Sequence, residues 1–176
     1  MQKSITAFLL CFIVTNIFAQ SKRKVSTYLQ ANYNQTLKDM TIGNNPWGAG
    51  IGLQTFINTK TVFQPTIELT GDLYLMDDKV YRMNADGTPI ETVRGMVNLF
   101  AGTSFNATQN IYISVVAGPS FIHGKTLFGL KPSLGFYFSK SKRGTGKISY
   151  INIFNRDRLT KQDFSSISLS LGFKLF

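Results

Sequence analysis

The side chains able to do chemistry are few and scattered. The one histidine, His123, stands in Phe121-Ile122-His123-Gly124-Lys125, and hydrolysis or acyl transfer would need a nucleophile and an orienting carboxylate beside it. No His-x-Ser pattern lies near. A solvated loop histidine is the plainer reading, and a lipid-modifying enzyme built on His123 the sharper one. Cys11, the one cysteine, lies in Leu9-Leu10-Cys11 near the N-terminus, which leaves the rest of the chain without disulfides, thiol nucleophiles or thiolate metal sites. Asp77-Asp78 and Asp86-Gly87 do not have the spacing of a calcium loop and read as a polar turn. Neither phosphate-binding glycine loops nor metal-ligand clusters occur in the sequence, so no catalytic residue, metal or cofactor is expected. A different group of charges, Glu68, Asp72, Arg94, Lys131 and Lys174, lies among small and polar residues on segments with apolar alternate positions. What they do depends on the elements that carry them.

The N-terminus does not belong to those elements. Lys3 precedes an apolar run from Ile5 to Phe18 that ends in Phe18-Ala19-Gln20, the order of a secretory signal cut after a small residue. The run is shorter than the ~20 apolar residues of a spanning helix. Residues 1–19 are therefore expected to be a cleaved signal peptide and 20–176 one domain. Loss of Lys3 leaves 18 bases against 9 acids, a formal charge of +9, which suits an anionic neighbour. Export and the lack of any nucleic-acid-binding signature argue against nucleic acid.

From Val25 onward the apolar period is two, the signal of strands. Ile167, Leu169, Leu171, Phe173 and Leu175 alternate with Ser166, Ser168, Ser170, Gly172 and Lys174. Phe63 to Leu73, Ile111 to Gly118 and Phe128 to Phe138 behave alike, and weaker versions run through Val25 to Asn34, Trp47 to Asn58, Val93 to Gly102 and Lys147 to Asn155. Eight such segments, each near the ~9 to 11 residues that carry a tilted strand across a bilayer, point to a barrel. Its inner face would be small and polar (Gly48, Gly50, Gly52, Gly118, Gly129, Gly135, Ser166, Ser168, Ser170), while the apolar faces of the clearest segments hold no Asp, Glu, Lys or Arg. That inversion is expected of a membrane barrel, where a charge at mid-bilayer costs ~2 to 4 kcal/mol. A soluble periplasmic carrier with a greasy interior is the alternative. Pro65 and Pro132 lie on the apolar faces and, lacking a ladder donor, are expected at bulges or near a membrane boundary. An open edge in hydrocarbon would leave backbone groups unpaired, so the first strand should pair with the last.

With the signal, the eight segments and the terminal strand Leu169-Ser170-Leu171-Gly172-Phe173-Lys174-Leu175-Phe176, the chain resembles the small eight-stranded outer-membrane β-barrels of the OmpA and OmpX type. The resemblance implies an all-β, antiparallel, up-and-down transmembrane barrel in the outer membrane of a Gram-negative bacterium, with both termini in the periplasm. It implies a structural or surface-interaction role, a filled lumen, and loops as the contact surface. The inner side then carries Lys22, Arg23, Lys24 and Lys60 together with a basic patch of Lys140, Lys142, Arg143 and Lys147, which would meet membrane lipid headgroups or a periplasmic protein partner. An extracellular protein partner would meet the outer loops, and the barrel is expected to be monomeric. Glu68, Asp72, Arg94, Lys131 and Lys174 become a paired network in the lumen, because isolated ions there would be too costly.

Overall fold

Alternation carries every one of these segments into a β-strand. The structure, a computed structural model, describes residues 25–37, 47–74, 95–122, 124–154 and 163–176. The expected signal peptide, the bases at 22–24, Arg94, His123 and most of the three long loops lie outside the described residues.

The strands are β1 (Val25–Thr36), β2 (Trp47–Ile57), β3 (Phe63–Tyr74), β4 (Gly95–Asn106), β5 (Ile111–Ile122), β6 (Lys125–Tyr137), β7 (Gly144–Ile153) and β8 (Phe164–Lys174). Each pairs antiparallel with the next, and β8 pairs with β1, so the sheet is a closed barrel. Closure reaches the last residues: the Leu175 N–H donates to the Thr27 carbonyl at 2.8 Å and the Thr27 N–H to that of Phe176 at 3.2 Å. No strand edge is left for hydrocarbon to strip of hydrogen bonds.

Paired residues traced round the wall from Thr27 pass through Thr55, Ile67, Ala101, Ala117, Leu130, Asn152 and Ser165. The circuit ends at Leu37, whose N–H meets the Ser165 carbonyl at 3.0 Å, further along β1 than it began. This stagger tilts the strands and sets the barrel's width.

The faces fall as the inversion requires. Ile167, Leu169, Leu171 and Phe173 are 39%, 50%, 65% and 64% exposed, while Ser166, Ser168 and Ser170 between them are buried. Outward positions of all eight strands carry no Asp, Glu, Lys or Arg. Aromatic side chains ring both ends of this apolar belt, as membrane barrels prefer. Tyr33 stacks on Trp47 and Phe128 on Phe154 at the loop end, and Phe63 meets Phe105 and Phe136 meets Phe138 at the end that holds the termini. A soluble carrier with these side chains inside is excluded by their exposure.

The wall is interrupted twice, each time at a proline. The β6–β7 pairing skips Lys131 and Pro132, and the β4–β5 pairing skips Leu99 and Phe100, opposite Gly118 and Pro119. Pro65 lies one residue beyond the last β2–β3 pair, Phe56↔Thr66. Proline is thus confined to places where the ladder is already open. Several strand limits differ from the sequence reading: β5 continues to Ile122 and β6 begins at Lys125. β4 continues to Asn106, and β7 begins at Gly144 rather than Lys147, because Gly144 to Gly146 pair with Leu171 to Phe173. The β5–β6 connection is only residues 123–124, with Gly124 at φ 73°, a left-handed position that glycine fills without strain.

Candidate functional site

The lumen is built in four layers, from the terminal end to the loop end. At the terminal end the rings of Tyr28, Phe56, Tyr112 and Tyr137 form a buried cluster, with Tyr28 edge-on to Phe56 at 5.7 Å and Phe56 edge-on to Tyr112 at 5.3 Å. The Tyr28 hydroxyl donates to the Lys142 carbonyl at 2.8 Å, and the Lys142 ammonium sits 4.6 Å from the Tyr137 ring centre. The turn between β6 and β7 thereby closes over the cluster.

Above the rings is an ionic layer. Glu68 on β3 accepts from Lys131 of β6 through Oε1 and from Lys147 of β7 through Oε2, the latter at 2.7 Å, and all three side chains are fully buried. Gln54 accepts from Gln30 at 2.6 Å and extends the layer. The next layer surrounds Asp72. Its Oδ1 accepts from Asn34 at 2.8 Å and Asn32 at 3.4 Å, and its Oδ2 from Thr70 at 3.1 Å and Asn98 at 3.3 Å. Tyr74, Met96, Ile122, Ile151, Ile153 and Phe164 then fill the loop end with apolar side chains.

Among the described residues the fully internal charges are two acids and two bases, Glu68, Asp72, Lys131 and Lys147. The lumen is therefore formally neutral, with its surplus positive charge next to Glu68 and its surplus negative charge on the amide-wrapped Asp72. This division suits a low-dielectric interior, where an uncompensated ion would be far too costly.

Glycines make room for the bulky members. The Tyr112 ring lies where a side chain on Gly135, its pairing partner, would begin, and the Asp72 carboxylate lies against Gly50 in the same way.

The structure brings together three residues of the expected lumen network, Glu68, Lys131 and Asp72, in adjacent layers. Lys174 is half-buried at the terminal end of β8, paired with Tyr28 of the aromatic layer. Arg94 lies outside the described residues. Lys147 is the correction: it was expected in the periplasmic basic patch, and its side chain is instead inside the barrel on Glu68. The earlier start of β7 moves it up the wall and its phase turns it inward. Lys140, Lys142 and Arg143 remain at the β6–β7 turn. The sequence reading also missed the amide cradle of Asn32, Asn34 and Asn98, and the two hydrophobic layers, which sit on the face that alternation marks as polar.

Among the described residues no group of three or more His, Cys, Asp or Glu side chains could hold a metal ion. What the layers can do is fill the barrel and neutralise it.

No family model matches the chain, and no curated protein does. Solved structures do resemble it. The crystal structure of Ail, the attachment invasion locus protein of Yersinia pestis, superposes with a TM-score of 0.56 at 10% identity, covering 86% of this chain and 97% of that one. The same outer-membrane protein in a phospholipid bilayer nanodisc gives 0.55 at 12% identity, covering 85% and 99%. Neisserial surface protein A gives 0.53 at 11% identity, covering 86% and 96%. The chain has the fold of the small eight-stranded outer-membrane β-barrels, and its uncharged apolar belt gives that fold its physical place in a bilayer.

Proposed function

We propose that the protein is a monomeric, non-conducting outer-membrane barrel with a structural or surface-interaction role. Its contact surface is the set of loops at the end away from the termini. The observation that carries this reading is the packed, charge-balanced lumen: four ions held between an aromatic layer and an apolar layer leave a wall with little else to offer than its rims. An eight-stranded barrel has an interior that side chains just fill, so the parts free to vary and to bind are the loops. The names of Ail and of Neisserial surface protein A, attachment and surface, are in keeping with such a role.

Two measurements test it. The purified protein in planar bilayers should give no steady conductance, and a stable open level would overturn the filled-lumen reading. An epitope placed in the 75–94 loop should be reached by antibody on intact cells, and one in the 107–110 turn only after permeabilisation; the reverse would overturn the sidedness. The enzyme reading keeps one feature of the sequence, His123, and is tested by envelope lipid profiles of His123→Ala, which should match those of the unaltered protein.

A further inference from the structure

The outer wall is not uniformly bulky. Across β6, β7, β8 and β1 a row of paired outward residues runs Phe136, Gly146, Leu171 and Ala31, large and small in turn. The Phe136 ring folds over Gly146, and beside it Ala31 floors an open groove of about 570 Å³, lined also by Tyr33 and Ile148. That size is within the roughly 300 to 1,000 Å³ of small-ligand clefts.

At the terminal end the same strands finish in bases. Gly146 lies three residues from Arg143 and Leu171 three from Lys174, about 10 Å along a strand at its usual rise. The Lys174 N–H donates to the Arg143 carbonyl at 2.8 Å, which puts those two residues side by side. Lys140 and Arg143 are exposed, whereas Lys142 turns back over the Tyr137 ring. The described acids are elsewhere: Glu68 and Asp72 are in the lumen and Asp163 is at the loop end. A ligand that filled the groove and reached the rim would therefore need an apolar chain and, about 10 Å away, an anionic head.

We infer that this face holds one anionic phospholipid, an acyl chain lying over Ala31 beside the Phe136 ring and the phosphate at Lys140 and Arg143. The inference rests on the barrel standing in a bilayer. It goes beyond general lipid contact in naming one face, one leaflet and a headgroup charge. A base near a charged membrane surface contributes about fivefold in affinity, so two of them distinguish a net-negative headgroup from a zwitterionic one.

The test is native mass spectrometry of the full-length barrel released from vesicles of phosphatidylcholine with phosphatidylglycerol. One phosphatidylglycerol should be retained per barrel in preference to phosphatidylcholine. The double variant Lys140→Gln, Arg143→Gln should lower that preference roughly 25-fold and leave phosphatidylcholine retention unchanged. Ala31→Phe, which fills the groove, should lower retention of both lipids. Equal retention of the two lipids, indifference to both variants, displacement of the lipid by excess inorganic phosphate, or a second copy of the chain in the lipid's place would each overturn the inference. A heat-dependent shift in gel mobility checks the barrel separately. If the shift is present and headgroup preference absent, only the lipid site falls; if the shift is absent, the membrane reading falls with it.

Discussion

The ammonium of Lys147 reaches Oε2 of Glu68 at 2.7 Å across the lumen, joining β7 to β3 on the far side of the eight-stranded ring. Lys131 of β6 holds the other carboxylate oxygen. Three strands are thus clamped by one side chain, and the partners differ in what their removal leaves behind.

Glu68→Gln should be the costliest single change in the lumen, since it leaves two buried ammoniums without a counter-ion. Breaking a buried pair from one side costs about 3 to 5 kcal/mol. Lys147→Met leaves Glu68 with Lys131 and should cost less. Urea unfolding of the barrel in vesicles, followed by gel mobility, measures both; an equal loss for the two would show that the carboxylate is not the hub.

Gly135→Ala places a methyl group where the Tyr112 ring lies. Overpacking of this kind costs about 1 to 3 kcal/mol. Because the clash is with one ring, adding Tyr112→Leu should recover part of the loss, so that the two changes are less than additive. Strict additivity in the same unfolding assay would rule out the contact as the cause.

Position along the wall should set the cost of a charge on the outer face. Leu69 lies midway along β3, between Leu53 and Leu99, and Thr103 lies near the terminal end of β4. Leu69→Arg should cost about 2 to 4 kcal/mol and Thr103→Arg about 0 to 1. Similar costs at both positions would contradict a bilayer around the belt.

Truncating the aromatic layer should open the terminal end. Phe56→Ala with Tyr112→Ala removes two fully buried rings, each worth about 3 to 5 kcal/mol if the site does not collapse. The variant is expected to unfold at lower urea and to show flickering current in planar bilayers, where the unaltered protein stays silent. A silent variant would place the block in the ionic or apolar layers instead.

The outer face was legible in the sequence because lipid imposes one rule on every outward residue. A single charge would have broken the pattern, and none does, so eight strands could be placed to within a few residues from alternation alone. The inner face follows no such rule. Tyr28, Tyr112, Ile151 and Phe164 face inward beside Ser149 and Asn34 because a narrow lumen accepts whatever fills it, and alternation cannot separate these from the polar set. Lys147 shows the consequence. In Gly144-Thr145-Gly146-Lys147 the two glycines look like a turn, so the lysine reads as the foot of a strand at a basic rim. Only pairing with β8 reveals that the strand has already begun. The Asp72 cradle was hidden for another reason: Asn32, Asn34 and Asn98 come from strands far apart in sequence, and nothing local marks an amide as a carboxylate's partner.

The placement of the four lumen ions also bears on how the protein is made. Both acids come from β3, and the bases from β6 and β7. A sheet that ended at β5 would hold both acids and the amides around Asp72 but no lumen base, so Glu68 would lack its counter-ions. The bases that neutralise the lumen and the strand that closes the seam all belong to the last three strands, so charge balance and closure both require the C-terminal part of the chain.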